Sequence, residues 1–439
     1  MLDIKYIREH QEEVGKNLIF RGSKVSLVEI LALDETRRKL LFQIEEMRAI
    51  RNQTSAEKPT SAQLNELKVK KVELKKLETK FELVDKEFVD KLSRIPNMSS
   101  PDMPEGKGDP DHIELTAWLP ESGYLDKSKL GKGDNLVQYM PKKNGKHHVD
   151  LGKDLDIIDI EQSAITSGSR FAYLKGDAAL LQYALFDLLK NKLIKEGFEP
   201  MIVPVLVKEQ VLFGTSHFPE GHDQVYEIKT EFVEGNNQLF LVGSSEPSLF
   251  SYYMGKTLDK KDLPKKFFAF THCFRSEVGS WGKDVRGIKR VHQFDKLEMD
   301  ALTTEEDSRE MMEYLRSINE WLMQQLRLPY RIINKCSRDC GYNATYLQYD
   351  LEGWLPTQGE FIELGSNTDT WDYQAKRMNI TYKDYDGKKK FVHTVNDTGI
   401  PMGRMIITIL DNYQNSDGSV TVPEVLRPYM GKNKIEAKK

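Results

Sequence analysis

Apolar residues in the first hundred positions recur at alternating spacings of three and four. One series runs Ile30, Leu33, Leu40, Ile44 and Met47, interrupted at Arg37; a second runs Leu67, Leu74, Leu77, Phe81, Val84, Phe88, Leu92 and Ile95. A repeat near 3.5 is the seam of a coiled coil. Between the two series, Lys58, Pro59, Thr60 and Ser61 break the helix, because proline lacks an amide donor and clashes with the preceding turn. The pattern predicts an antiparallel helical hairpin over about 27–97, with arms of ~30 residues reaching ~45 Å each at helical rise. Ile95-Pro96-Asn97 and the run Ser99–Gly106 read as a linker, so the chain is expected to divide into a helical domain, 1–105, and a second domain, 106–439.

The texture changes beyond that linker. A helical stretch at Ala178–Gly197 is followed by strand-like runs at Gln238–Val242, Lys266–Arg275, Gly287–Glu298 and Glu360–Ser366. Long helices with many strands outside a βαβ alternation predict an α+β fold with an antiparallel sheet flanked by helices.

Candidate chemistry concentrates between Cys273 and Glu298, CFRSEVGSWGKDVRGIKRVHQFDKLE. Read as two strands and a loop, the alternation puts Arg275 and Glu277 on one face of the first strand, and Arg290, His292, Phe294, Lys296 and Glu298 on one face of the second. Guanidinium groups, an aromatic ring and carboxylates on one patch could clamp an anion and stack on a base. Gly279, Gly282 and Gly287 would let backbone approach a ligand, and Lys283 and Arg286 add positive charge. A solvated hairpin face would also be charged; the loop and the apolar run Phe267–Phe270 favour a nucleotide. Arg404 lies at the start of an apolar helix flagged by Thr398, Gly399 and Pro401, where a positive charge is disfavoured by the helix dipole, so it should face a ligand or an acidic partner.

Composition narrows the classes. The 439 residues carry a net charge of −4, so no global basic field announces a nucleic acid and RNA contact must come from local patches. No apolar run is long enough for a membrane span, and MLDIKYIREH lacks the apolar core of a signal peptide; a cytoplasmic protein is expected, with no membrane or DNA partner. Cys273, Cys336 and Cys340 suit a reducing compartment and show no zinc-site spacing. There is neither a dinucleotide fingerprint nor a P-loop.

These residues resemble the seryl-tRNA synthetases, a class II aminoacyl-tRNA synthetase family, in its bacterial form. The segment 273–298 is similar to the second class II motif. Gly399–Tyr429, GIPMGRMIITILDNYQNSDGSVTVPEVLRPY, resembles the third motif and the family's C-terminal signature, and Gly197–Pro204, GFEPMIVP, is similar to the first, at the dimer interface. The resemblance covers essentially the whole chain. It implies the class II sheet, a homodimer, L-serine and ATP as substrates with Mg²⁺, and serine tRNA as acceptor; the family also serylates selenocysteine tRNA.

Residue by residue, the resemblance implies that Arg275 clamps the α-phosphate and the substrate carboxylate, and that Glu277 accepts from the adenine amino group. Phe294 stacks on adenine with Arg404 across the other face, Arg290 holds the outer phosphates, and Ser276 and Val291 adjoin the nucleotide. Glu363, Leu364, Gly365 and Ser366 form an ATP-binding segment, with Glu363 and Ser366 toward Mg²⁺. Arg275, Arg404 and Glu363 are the expected catalytic residues. Ser244, Ser245, Glu246, Glu298, Asn396 and Thr398, with Arg275, would form the serine pocket, Ser244 and Glu246 sharing a strand face. On the arm, Lys68, Lys70, Lys71, Lys75, Lys76 and Lys80, interleaved with Glu66, Glu73 and Glu78, are candidates for tRNA phosphates, although a solvated helix face would look similar. The arm reads as about two turns shorter than the bacterial pattern.

Three departures stand out. Ser244 replaces a threonine, residues 365–369 read Gly-Ser-Asn-Thr-Asp and bring Asp369 toward the nucleotide, and Asp397 stands where glycine is usual. They read as drift in a divergent enzyme. A paralogue activating an amino acid for a non-tRNA acceptor, or an inactive RNA-binding relative, are the rival readings; the arm argues against the first and the retained Arg275 and Arg404 against the second.

Overall fold

The computed structural model describes residues 1–54, 61–229, 238–279 and 286–437. The break at Lys58, Pro59 and Thr60, the loop residues Gly282 and Lys283, and the side chains of 51–54 and 61–67, Glu66 and Leu67 among them, lie outside the described residues. By its internal contacts the chain divides into two compact units, Met1–Met98 and Ser99–Lys439.

The first unit is helical: α1 (Ile4–Glu9), α2 (Gln11–Phe20), α3 (Leu27–Thr54) and α4 (Ser61–Ser93). Ser26 and Glu29 have capping-box spacing, and the Glu29 amide donates to Ser26 Oγ at 3.4 Å, satisfying a donor at the start of α3. Ile30, Leu40 and Ile44 of α3 and Leu74, Phe88 and Leu92 of α4 are buried along the seam. The pairs Glu29–Lys91 and Arg48–Glu78, each at 2.7 Å, fix the antiparallel register. Arg37 interrupts the seam without breaking it: it pairs with Asp85 and lies 5.5 and 5.4 Å from the Phe81 and Phe88 ring centres, inside cation–π range.

The second unit is built on a nine-stranded sheet of β1 (Ile113–Leu119), β2 (Gly123–Tyr124), β3 (Glu199–Pro200), β4 (Lys265–Phe274), β5 (Gln293–Thr303), β6 (Tyr330–Asn334), β7 (Leu347–Leu355), β8 (Glu360–Asp369) and β9 (His393–Pro401). Their spatial order is β2-β1-β6-β7-β8-β9-β5-β4-β3. Neighbours are antiparallel except the edge strand β3, which runs parallel to β4. Helices α5 (Asp177–Lys195), α6 (Glu246–Ser251), α7 (Ser308–Gln325) and α8 (Met402–Tyr413) pack on it. The run 99–106, read as a linker, belongs to this unit: Ser100 N donates to Tyr346 O at 2.9 Å and Ser337 N to Pro104 O at 2.9 Å.

The central strands are buried on both faces, and register sorts their side chains into rows. Glu298 pairs with Thr398 and Asp300 with Asn396 on one face. On the other, Met299 pairs with Asp397 and Asp397 with Asn367; Asn367 Nδ2 donates to Met312 O of α7 at 2.7 Å.

Candidate active site

Two strand readings need correction before the site can be assembled. The first strand of the 273–298 segment ends at Phe274 and the second begins at Gln293, so Arg275, Glu277, Arg290 and His292 lie beyond strand ends and alternation does not govern them. Glu277 has φ of +51°, which no extended strand allows. The chain is instead tied by Arg275 N donating to His292 O at 3.0 Å and Arg170 Nη1 donating to Glu277 O at 2.9 Å. Likewise Ser244 and Glu246 share no strand face: the short strand there spans Leu239–Leu241, and Glu246 opens α6. Gly287 serves packing rather than ligand approach, since a Cβ there would fall 2.1 Å from His148 Nε2.

The resulting cleft has a cationic end. Arg275, Glu277, Val291, Phe294, Leu364 and Arg404 line it, with Gly365 beside them. Arg275 Nε donates to Gly243 O at 3.2 Å, and its guanidinium carbon is 5.4 Å from the Phe294 ring centre. Arg290 Nη1 is 3.7 Å from Glu277 Oε2. Arg404, the third residue of α8, donates from Nη1 to Glu363 O at 3.0 Å and lies 3.4 Å from Glu363 Oε1, the acidic partner its position calls for. The Glu363 side chain is 49% exposed, opening into the cleft. Enclosure by protein works to raise its pKa, but Arg404, Lys335, Arg275 and Arg290 outweigh it and hold the carboxyl below its ordinary value.

The cleft continues into a cavity of about 720 Å³ that reaches Glu298, Asn396, Thr398, Ser366 and Lys335. Gln348 Nε2 donates to both Ser366 Oγ and Asp350 Oδ1 at 2.9 Å. The oxygens of Glu363, Ser366 and Asp350 beside one cavity form a donor set that suits a hard divalent cation.

The other end is acidic and buried. Glu298 is 2% exposed; its Oε2 is 2.6 Å from Lys296 Nζ and accepts from Thr398 Oγ1 at 3.4 Å. Glu246 Oε1 accepts from Gln374 Nε2 at 2.7 Å and from Asn396 Nδ2 at 3.3 Å. Burial, reinforced by Glu298, pushes the Glu246 carboxyl up to about 7. Ser244 Oγ accepts from the Glu246 amide at 3.3 Å.

Most of the expected site residues converge on this cavity, but six of the residues singled out in the sequence stand apart from its surface. Ser244, Ser245 and Glu246 are buried behind the wall. Ser276 turns its hydroxyl to Asp223 O at 2.6 Å, bracing the loop. Asp369 is buried at the end of β8, accepting from Trp371 N at 2.9 Å, so the acid read as nearing the nucleotide serves a turn. Asp397 lies on the opposite face from Thr398. The sequence reading gave no role to Lys296, Lys335, Gln374 or Asp300; the alternation Lys296, Glu298, Asp300 along β5 was the available signal.

An antiparallel sheet carrying an arginine-lined cleft, in a sequence with neither a P-loop nor a dinucleotide fingerprint, is the arrangement of a class II aminoacyl-tRNA synthetase. Residues 226–413 match the tRNA synthetase class II core domain (G, H, P, S and T), and residues 1–99 match the seryl-tRNA synthetase N-terminal domain. The chain is 36% identical to the serine–tRNA ligase of Dictyoglomus turgidum, with all of both chains covered. It is similar to the crystal structure of seryl-tRNA synthetase from Pyrococcus horikoshii complexed with ATP, at a TM-score of 0.86 and 34% identity, all of both chains covered. It is also similar to the cytoplasmic serine–tRNA ligase of Naegleria fowleri in complex with AMP, at a TM-score of 0.80 and 27% identity over 100% of this chain and 99% of that one. The chain belongs to the seryl-tRNA synthetase family.

Proposed function

We infer that this serine–tRNA ligase activates L-serine in the cavity that joins Arg275 to Glu298 and Thr398, and then transfers it to the 3′-terminal adenosine of serine tRNA. A single observation carries the reading: one cavity holds guanidinium groups and an aromatic ring at one end, and buried acceptors for an ammonium and a hydroxyl at the other. Serine placed between them points its carboxylate at Arg275. A carboxylate oxygen attacks the α-phosphorus of ATP in line, and the bond to pyrophosphate breaks as pyrophosphate leaves. The forked guanidinium of Arg275 neutralises both reacting anions and aligns them. Phe294 stacks on adenine opposite Arg404, Glu277 accepts from the adenine amino group, and Arg290 faces the outer phosphates. Glu363 and Ser366 would hold Mg²⁺, which neutralises charge on the phosphates. The adenosine hydroxyl then attacks the adenylate carbonyl and AMP departs.

At the acidic end Glu298 takes the ammonium, with Glu246 behind the wall bracing Asn396, while Thr398, Asn396 and Glu298 receive the hydroxyl. Alanine leaves those buried groups unpaired and is rejected. On α4, Lys68, Lys71, Lys75, Lys76 and Lys80 are exposed and Lys70 half-buried, a basic strip suited to tRNA phosphates. Tyr183 of α5 and Ile202 beyond β3 are exposed apolar residues, which suits a homodimer formed through the first-motif region. No described helix is long and apolar enough to cross a membrane, which accords with a cytoplasmic enzyme. The test is ATP–pyrophosphate exchange with each of the twenty amino acids, adding tRNA afterwards. Serine alone should support exchange and transfer; exchange with a different amino acid, or serine activation without transfer, overturns the reading.

A further inference from the structure

Beneath the acidic end lies a carboxyl group that the reaction above does not use. Asp300 is 0% exposed, and among the described residues neither of its oxygens has a hydrogen-bond partner. It sits two residues beyond Glu298 on β5, on the same face, and its cross-strand neighbour is Asn396, whose amide donates to Glu246. Its neighbour on β4 is Phe267, part of an apolar cluster with Leu249 and Phe250 of α6. An ionised carboxylate facing that cluster without a donor would be strongly disfavoured. The charged groups around it are Glu298 and Lys296 of β5, Glu246 of α6 and, through the sheet, Asp397 of β9. Lys296 is already paired with Glu298, so three acids face the single cation among these groups.

We propose that Asp300 is a positioning residue for the amino-acid substrate: it holds a proton beneath Glu246 and Glu298 while the pocket is empty, and releases that proton when a substrate ammonium group enters. The proposal rests on the reading of Glu298, Asn396 and Thr398 as the amino-acid pocket. Its physical basis is charge balance. In the empty pocket, burial and then the neighbouring carboxylates Glu298 and Glu246 hold Asp300 well above the ordinary carboxylate range. An arriving ammonium supplies the missing counter-charge; the Asp300 proton is given up to solvent, and the new carboxylate strengthens the field that holds the ammonium. Amino-acid binding is thereby linked to proton release.

The experiment is calorimetric titration of serine into full-length enzyme saturated with Mg²⁺ and a non-hydrolysable ATP analogue. It is run at pH 8, above the Glu246 value of about 7, in buffers of different ionisation enthalpy. Wild-type enzyme should release about one proton per serine bound, and Asp300→Asn, which keeps the shape and cannot ionise, about none. Exchange kinetics of Asp300→Asn should show KM for serine raised roughly tenfold, with the loss in KM rather than kcat. No proton release by wild-type enzyme overturns the proposal, whether or not the variant folds; so does equal release by both proteins. Glu298→Ala separates the two readings: if it still binds serine, the pocket assignment itself fails, whereas lost binding there with unchanged proton release in Asp300→Asn removes only the role of Asp300.

Discussion

The two ends of the cavity hold charge in opposite ways. At the cationic end the groups are partly open and paired through salt bridges that a ligand can exchange: Arg404 with Glu363, and Arg290 with Glu277. At the acidic end Glu246, Glu298 and Asp300 are withdrawn from water, and their carboxyls must be neutralised by Lys296, by amides or by protons. On the proposed reading, an anionic, variably hydrated phosphate chain would be met by accessible charge, which costs little to rearrange. A small ammonium-bearing substrate would be met by groups whose alternatives are poor, and discrimination would arise there.

The largest expected effect tests the cationic end. Arg275→Ala should lower kcat/KM for exchange by roughly 10³-fold or more, and Arg275→Lys should recover little of it, because an ammonium lacks the guanidinium fork. Recovery to near wild type with lysine would mean that charge alone suffices there. Next, Glu363→Gln should weaken ATP use about 10- to 100-fold and raise the Mg²⁺ concentration needed for half-maximal exchange; an unchanged Mg²⁺ dependence places the cation elsewhere. On the helical unit, Lys75→Glu with Lys76→Glu should raise KM for tRNA several-fold at low salt, the difference from wild type shrinking as salt increases, while leaving exchange without tRNA at its wild-type rate. An unchanged tRNA KM would mark those lysines as a solvated face.

The smallest effect concerns stability on the far face of the sheet. Asp397 is fully buried and, among the described residues, its oxygens make no hydrogen bond, although the Asn319 and Asn367 side chains act to lower its pKa. Burial, then Glu298, raises its pKa well above the ordinary value. The folded state therefore keeps a proton that the unfolded chain loses above about pH 4, so stability falls as pH rises from there toward the raised folded value. Asp397→Asn should stabilise the protein by about 1–3 kcal/mol at pH 8, and the gain should shrink as pH falls toward 4. Thermal melts at pH 5 and 8 measure it; equal gains at both would mean Asp397 is ionised in the folded protein.

Legibility in the sequence followed the same division. The coiled-coil seam, the α+β character and the place of Arg404 in the first turn of its helix could be read from spacing, because helical period and helix-start signals are local. The faces assigned to Arg275, Glu277 and Arg290 could not, since two strands end sooner than alternation suggests and a positive φ at Glu277 re-aims the chain. Glu246 was found through the family motif but placed on a strand, when Pro247 at the first turn marks a helix. Asp300 and Asp397 differ only in which face of a doubly buried sheet they occupy, and register across three strands decides that.

The most direct test of the central claim is serine-dependent ATP–pyrophosphate exchange in Glu298→Ala. If Glu298 holds the ammonium and hydroxyl of serine, exchange should fall below detection while ATP binding persists. Exchange at the wild-type rate would contradict the pocket at its centre.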